Sequence, residues 1–102
     1  MVNKVFLVGS LAEEPSVRQT AAGSYVCDVF LSVSRKDHKT DYIRCEAWGQ
    51  TALFISRNIK KGMVLDVEGS LRVKKNYDKK EQRNIFEQFV RIDTIIVDSL
   101  AN

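Results

Sequence analysis

The chain is poor in the residue types that build metal and redox chemistry. Its 102 residues include one histidine, His38, and two cysteines, Cys27 and Cys45. The cysteines lie too far apart in sequence for a CxxC motif, and so few soft ligands exclude a structural zinc site. Met1–Ser10 carries one lysine and a short apolar run, with no h-region or small-residue cleavage site of an export signal. A disulfide is therefore not expected, and both cysteines read as small, reduced core residues. No apolar run approaches the ~20 residues of a membrane span, which predicts a soluble, cytosolic chain. The usual catalytic constellations cannot be assembled either. There is no candidate nucleophile–base pair and no phosphate-cradling glycine loop, and Asp37 beside His38 in a charged loop is too weak a pairing. Neither an enzyme nor a cofactor is expected.

What is present suits one domain over residues 1–102. A composition of 44% hydrophobic and 28% charged residues is that of a globular chain rather than a disordered one. Charge is informative by position. Between Arg72 and Arg83 six basic residues face two acidic ones, and Arg35, Lys36, Lys39 and Arg44 outnumber Asp37 and Asp41. Basic charge gathered into two short segments favours a polyanionic partner.

Strand patterns dominate. Lys4–Leu11 is apolar on both faces, with Val5, Leu7, Gly9 and Leu11 opposite Phe6 and Val8, which predicts a strand covered on both sides or packed on another subunit. Pro15 and Thr20–Ser24 mark connecting turns. Ser24–Ser34 places Cys27, Val29, Leu31 and Val33 inward, and Val26, Asp28 and Phe30 outward. After a polar turn, Asp41–Trp48 returns with Ile43, Cys45 and Ala47 inward, and Tyr42, Arg44, Glu46 and Trp48 outward. The period then becomes helical from Gln50 to Lys61, through Ala52, Ile55 and Ile59, with Gly62 as a C-terminal stop. Leu65–Val73 is a fourth strand, Lys74–Arg83 a polar loop, and Asn84–Val97 a long fifth strand.

Five strands with a helix between the third and fourth predict an all-β OB-fold, a Greek-key barrel. In that fold the face of strands two and three commonly takes oligonucleotides. The two basic segments are the loops beside that face. The outward aromatics Phe30, Tyr42 and Trp48, with Tyr77 in the second basic loop, form a candidate stacking platform, each ring worth roughly 1–3 kcal/mol per base. Arg35, Lys36, Arg72, Lys74, Lys75, Lys79 and Lys80 flank it as candidate phosphate contacts. Arg44 lies between Tyr42 and Trp48, where a guanidinium can pair with phosphate and stack on a ring. Glu46 shares that face and can pair with Arg44. Phe6, Phe54, Phe86 and Phe89 read as core or interface residues.

Several motifs in order then resemble the bacterial single-stranded DNA-binding protein family over nearly the whole chain. They are Asn3-Lys4-Val5 with Leu7, Gly9 and Leu11; Glu14-Pro15-Ser16-Val17-Arg18 where the family has Asp-Pro-x-x-Arg; Ala47-Trp48-Gly49; Ile59-Lys60-Lys61-Gly62; and Val67-Glu68-Gly69-Ser70-Leu71. The resemblance implies sequence-nonspecific binding of single-stranded DNA in replication, recombination and repair, by a cytoplasmic, nucleoid-associated homotetramer, with a dimer as the smaller alternative. It implies stacking at Tyr42, Trp48 and near Tyr77, and backbone contacts at Lys4, Arg18, Arg72, Lys74 and Lys75. Many members carry another aromatic where this chain has Lys36-Asp37-His38-Lys39, and His38 reads as a solvated loop residue. Members usually continue into a flexible linker and an acidic tip that recruits replication enzymes. The sequence ends at Asn102, so recruitment through a tail is not expected. The alternative on the same fold is a primosomal-replication-type protein bridging a helicase to single-stranded DNA.

Overall fold

A computed structural model describes residues 1–98; the expectation about a C-terminal tail falls beyond them. The elements are β1 (Val5–Leu11), β2 (Ser16–Gln19), β3 (Tyr25–Ser34), β4 (Thr40–Trp48), α1 (Gly49–Asn58), β5 (Val64–Asp78) and β6 (Arg83–Val97). Strand β1 pairs antiparallel with β5, β5 with β6, and β3 with β4. Two short seams close the ring. Strands β4 and β6 meet in parallel at Cys45↔Val90 and Glu46↔Arg91, and β1 meets β3 at Ser10↔Ser32 and Leu11↔Leu31. This is the predicted OB barrel, with its helix between the third and fourth strands of the ring.

Strand β2 is the sixth strand, where the sequence suggested only turns. It pairs with β3 from Ser16↔Asp28 to Gln19↔Tyr25, so β1 and β2 are successive segments of one path along β3. The break lies at Ala12–Pro15, where proline has no N–H to continue the ladder. All four β2 residues are exposed, and a strand with no buried face leaves no alternating pattern.

The core follows the predicted alternation. Cys27, Val29 and Leu31 of β3 and Cys45 and Ala47 of β4 are buried, together with Ala52 and Ile55 of α1. Both cysteines are unbridged. Burial pushes the Cys27 thiol up to about 11, with Asp28 adding to it, and the Cys45 thiol up to about 12. Helix α1 ends at Asn58, not at Lys61. Ile59 turns extended to enter the core while its N–H still reaches the Ile55 carbonyl. Gly62, at φ +91°, instead makes the turn into β5 and donates its N–H to the Leu11 carbonyl.

The expected loop Lys74–Arg83 is also corrected. Strands β5 and β6 continue as a two-stranded ribbon to Asp78↔Arg83, leaving only Lys79–Gln82 as the turn. Both faces of the ribbon meet solvent, so charged residues occur on either side and mask its period. Two strand contacts need a close backbone approach, one at the β1–β3 seam and one between β5 and β6. A Cβ at Gly9 would lie 2.6 Å from the Ser32 carbonyl oxygen, and one at Gly69, opposite the bulge that leaves Asp93 of β6 unpaired, would run into that of Arg91.

Candidate nucleic-acid interface

Strand alternation and register place one set of side chains on the outer face of β3, β4, β6 and β5. Phe30 lies opposite Arg44, Ser32 opposite Tyr42, Asp28 opposite Glu46, and Val26 opposite Trp48. Across the seam Glu46 faces Arg91, and on the ribbon Arg72 faces Phe89 and Lys74 faces Glu87. Val26, expected on the outward face, is fully buried. Its same-face neighbours across the ladders are Arg18 and Trp48, both large.

Charge on this face is heavily paired. The Arg44 guanidinium donates to Glu87 at 3.0 Å and to Asp28 and Glu46 at 3.4 Å each. Its carbon sits 5.5 Å from the Phe89 ring centre. Glu46 is only 3% exposed, and a carboxylate buried that far requires partners. Its second oxygen accepts the Trp48 indole Nε1–H at 2.8 Å. The Arg91 guanidinium lies over the same indole, 5.0 Å from the ring centre. Asn76 donates to Glu87, and Arg18 pairs with Asp28 at 2.6 Å. The expected Glu46–Arg44 pairing is therefore present.

The other predicted site residues fall in different places. Tyr42 is 72% exposed, whereas Phe30 and Trp48 are half-buried. Tyr77 is exposed, but alternation along β5 puts it with Lys75 on the reverse of the ribbon, level with Val73 and Phe86. Lys79 and Lys80 occupy the ribbon tip. Arg35 and Lys36 lie in the β3–β4 turn, where Arg35 pairs with Asp37 and Asp41; His38 is exposed at φ +66°. Among the described residues Lys36, Arg72, Lys74, Lys75, Lys79 and Lys80 make no ion pair. Lys4 sits away from the aromatic face, bonded to Glu68 of β5. That bond first, and the charge of Glu68 next, raise its pKa above the ordinary lysine value.

Sequence reasoning missed Arg91, Glu87 and Asn76, and assigned Phe89 to core or interface. Phe89 is buried, but beneath Arg44 on the outer face. The alternation Glu87, Phe89, Arg91 against Val90 and Ile92 was available as a signal in the long last strand. A second surface, on β1, β5 and β6, is apolar and open. Phe6, Val8 and Ile96 are exposed around a groove of about 250 Å³ that Asp66 and Glu68 also line. Burial, then the neighbouring Asp98, raises the pKa of Asp66.

Among the described residues no helix is long and apolar enough to cross a membrane, and no group of side chains is placed to hold a metal ion. Comparison with known proteins converges on one family. Residues 2–97 match the single-strand binding protein family. Single-stranded DNA-binding protein B of Bacillus subtilis is 33% identical over 101 residues, which cover 93% of this chain and 88% of that one. Single-stranded DNA-binding protein 1 of Synechocystis is 36% identical over 87 residues, covering 81% of this chain and 69% of its own. The single-stranded DNA-binding protein of Thermosynechococcus vestitus is 36% identical over 85 residues, covering 81% and 68%. With an OB barrel, an aromatic and cationic outer face and matches along most of its length, the chain belongs to the single-strand binding protein family.

Proposed function

We propose that residues 1–102 form one domain that binds single-stranded DNA without sequence preference and protects it during replication, recombination and repair. One observation carries the reading: Trp48, Tyr42 and Phe30 share a sheet face with Arg72, Lys74 and Arg91, in a family named for single-strand binding. Each open ring accepts a base, for roughly 1–3 kcal/mol. Arg72, Lys74, Lys79 and Lys80, free of ion pairs among the described residues, take phosphates and release counterions, and Lys36, Arg35 and Arg18 extend the path. Tyr77 and Lys75 take part as the strand passes round the ribbon. Lys4, tied to Glu68 on another face, is left out of this set. The chain is a binding protein, not an enzyme. Relatives named for single-stranded DNA binding favour this reading over the helicase-bridging one.

The test is a titration of Trp48, the single tryptophan, by fluorescence. Stoichiometric quenching by oligo-dT and none by duplex DNA of equal length is expected. Quenching by neither would remove Trp48 from the site. We also propose that the chain self-associates, as a homotetramer or a dimer, through the face of Phe6, Val8 and Ile96. A protein of this function works in the cytoplasm, on the nucleoid. Sedimentation decides the assembly, and a monomer at micromolar concentration would refute it.

A further inference from the structure

We propose that Glu46 is a positioning residue for the stacking platform, its carboxylate fixing the Trp48 indole in the orientation that receives a base. The proposal rests on the reading above that Trp48 stacks bases. A buried acid in the middle of a surface meant for a polyanion is opposite to what steering requires. Glu46 is nevertheless 3% exposed, at the level of the core. Its two oxygens are divided between two of the groups that build the platform. Oε1 accepts the indole N–H of Trp48, and Oε2 faces the guanidinium of Arg44.

Trp48 needs such a hold. It is the last residue of β4 and the N-cap of α1, with extended backbone and no side-chain capping bond. Its indole has one donor, and that donor goes to the residue two positions earlier on the same strand face. Arg91 covers one side of the ring. With an edge held by Glu46 and one face by Arg91, the ring is ordered before DNA arrives. Arg44 belongs to the same device. Its donors are directed to Asp28, Glu46 and Glu87 and its plane lies over Phe89, so it supports the platform instead of contacting phosphate.

The sign of one substitution separates this role from a bystander's. If Glu46 were only a negative charge near DNA, Glu46→Ala would tighten oligo-dT binding. As a positioning residue, its loss weakens binding roughly two- to tenfold, the scale of one freed side-chain rotamer, with the slope of affinity against salt unchanged. Glu46→Gln keeps an acceptor for the indole but loses the one for Arg44, and binds more tightly than Glu46→Ala. Arg44→Gln weakens binding without lowering the salt slope, whereas loss of a phosphate contact would lower it by about 0.7. The single indole N–H resonance of the wild-type protein gives a reading that depends on no variant. It exchanges slowly with water if the bond is present, and as fast as free tryptophan if the proposal is wrong. Equal or tighter binding by Glu46→Ala, in a protein whose Trp48→Ala variant binds weakly, overturns the role of Glu46 and leaves the stacking reading intact. Normal binding by Trp48→Ala refutes the platform itself and this role with it.

Discussion

Lys74 and Lys75 offer a direct test of whether the ribbon meets DNA. As neighbours on β5 they point to opposite faces, Lys74 beside Glu87 and Lys75 beside Phe86. Neither makes an ion pair among the described residues, so replacing them with alanine removes a phosphate partner and little else. On single strands each lost contact lowers the slope of log affinity against log salt by about 0.7. The double variant is therefore expected to lose about 1.4 in slope, and each single variant about half of that. Over a fourfold rise in salt, one contact changes affinity by about 2.6-fold, which Trp48 quenching by oligo-dT resolves. Lys4→Ala is the control: its partner is Glu68, and its slope is expected to equal wild type. An unchanged slope in the double variant would remove the ribbon from the DNA path. A loss confined to Lys74→Ala would restrict the path to the Phe89 face and exclude the reverse face of Tyr77. A lower slope in Lys4→Ala would extend the path over the β1–β5 surface.

Other expectations concern the barrel and its assembly. Gly69→Ala places a Cβ against the Arg91 backbone and is expected to cost about 1–3 kcal/mol, as overpacking does; an unchanged denaturant midpoint would show that the bulge relaxes freely. The Cys27 and Cys45 thiols have folded pKa values of about 11 and about 12 against an ordinary 9.0. Their contribution to stability is full below pH 9 and is lost as pH rises toward 11–12, because the unfolded thiols ionise first. A chemical-denaturation series from pH 8 to 11 reads this, and replacing both cysteines with alanine should flatten it. Phe6→Asp puts a charge on the open apolar face of β1 and is expected to lower the sedimenting mass while leaving circular dichroism unchanged.

Much of this architecture was legible because β3 and β4 each bury one face and wet the other, which writes a period of two into the chain. Cys27, Val29 and Leu31 could be assigned inward on that basis alone. The ribbon and β2 were not legible for the converse reason: with both faces wet, β-structure leaves no hydrophobic signature. Burial of Val26 and Glu46 comes from neighbours across the ladders, Arg18 and Trp48 for one and Asp28 and Arg91 for the other, a relation that linear spacing does not display. The aromatics of the site were visible as large rings at outward positions. Of the carboxylates that hold Arg44, Glu46 was visible on the same strand face, but Asp28 and Glu87 were not, because they come from other strands.

The two short seams divide the ring into halves, a β2–β3–β4 sheet and a β1–β5–β6 sheet. Each seam consists of two residue pairs, so the halves are far better connected within themselves than to each other. Tyr42 and Trp48 stand on one half, Arg72, Lys74 and Phe89 on the other, and the β4–β6 seam runs between them. A strand of DNA lying on this face would act as a strap across the joint. Breathing of the barrel and release of its ligand then share one motion, and occupancy stiffens the fold where the backbone alone holds it least.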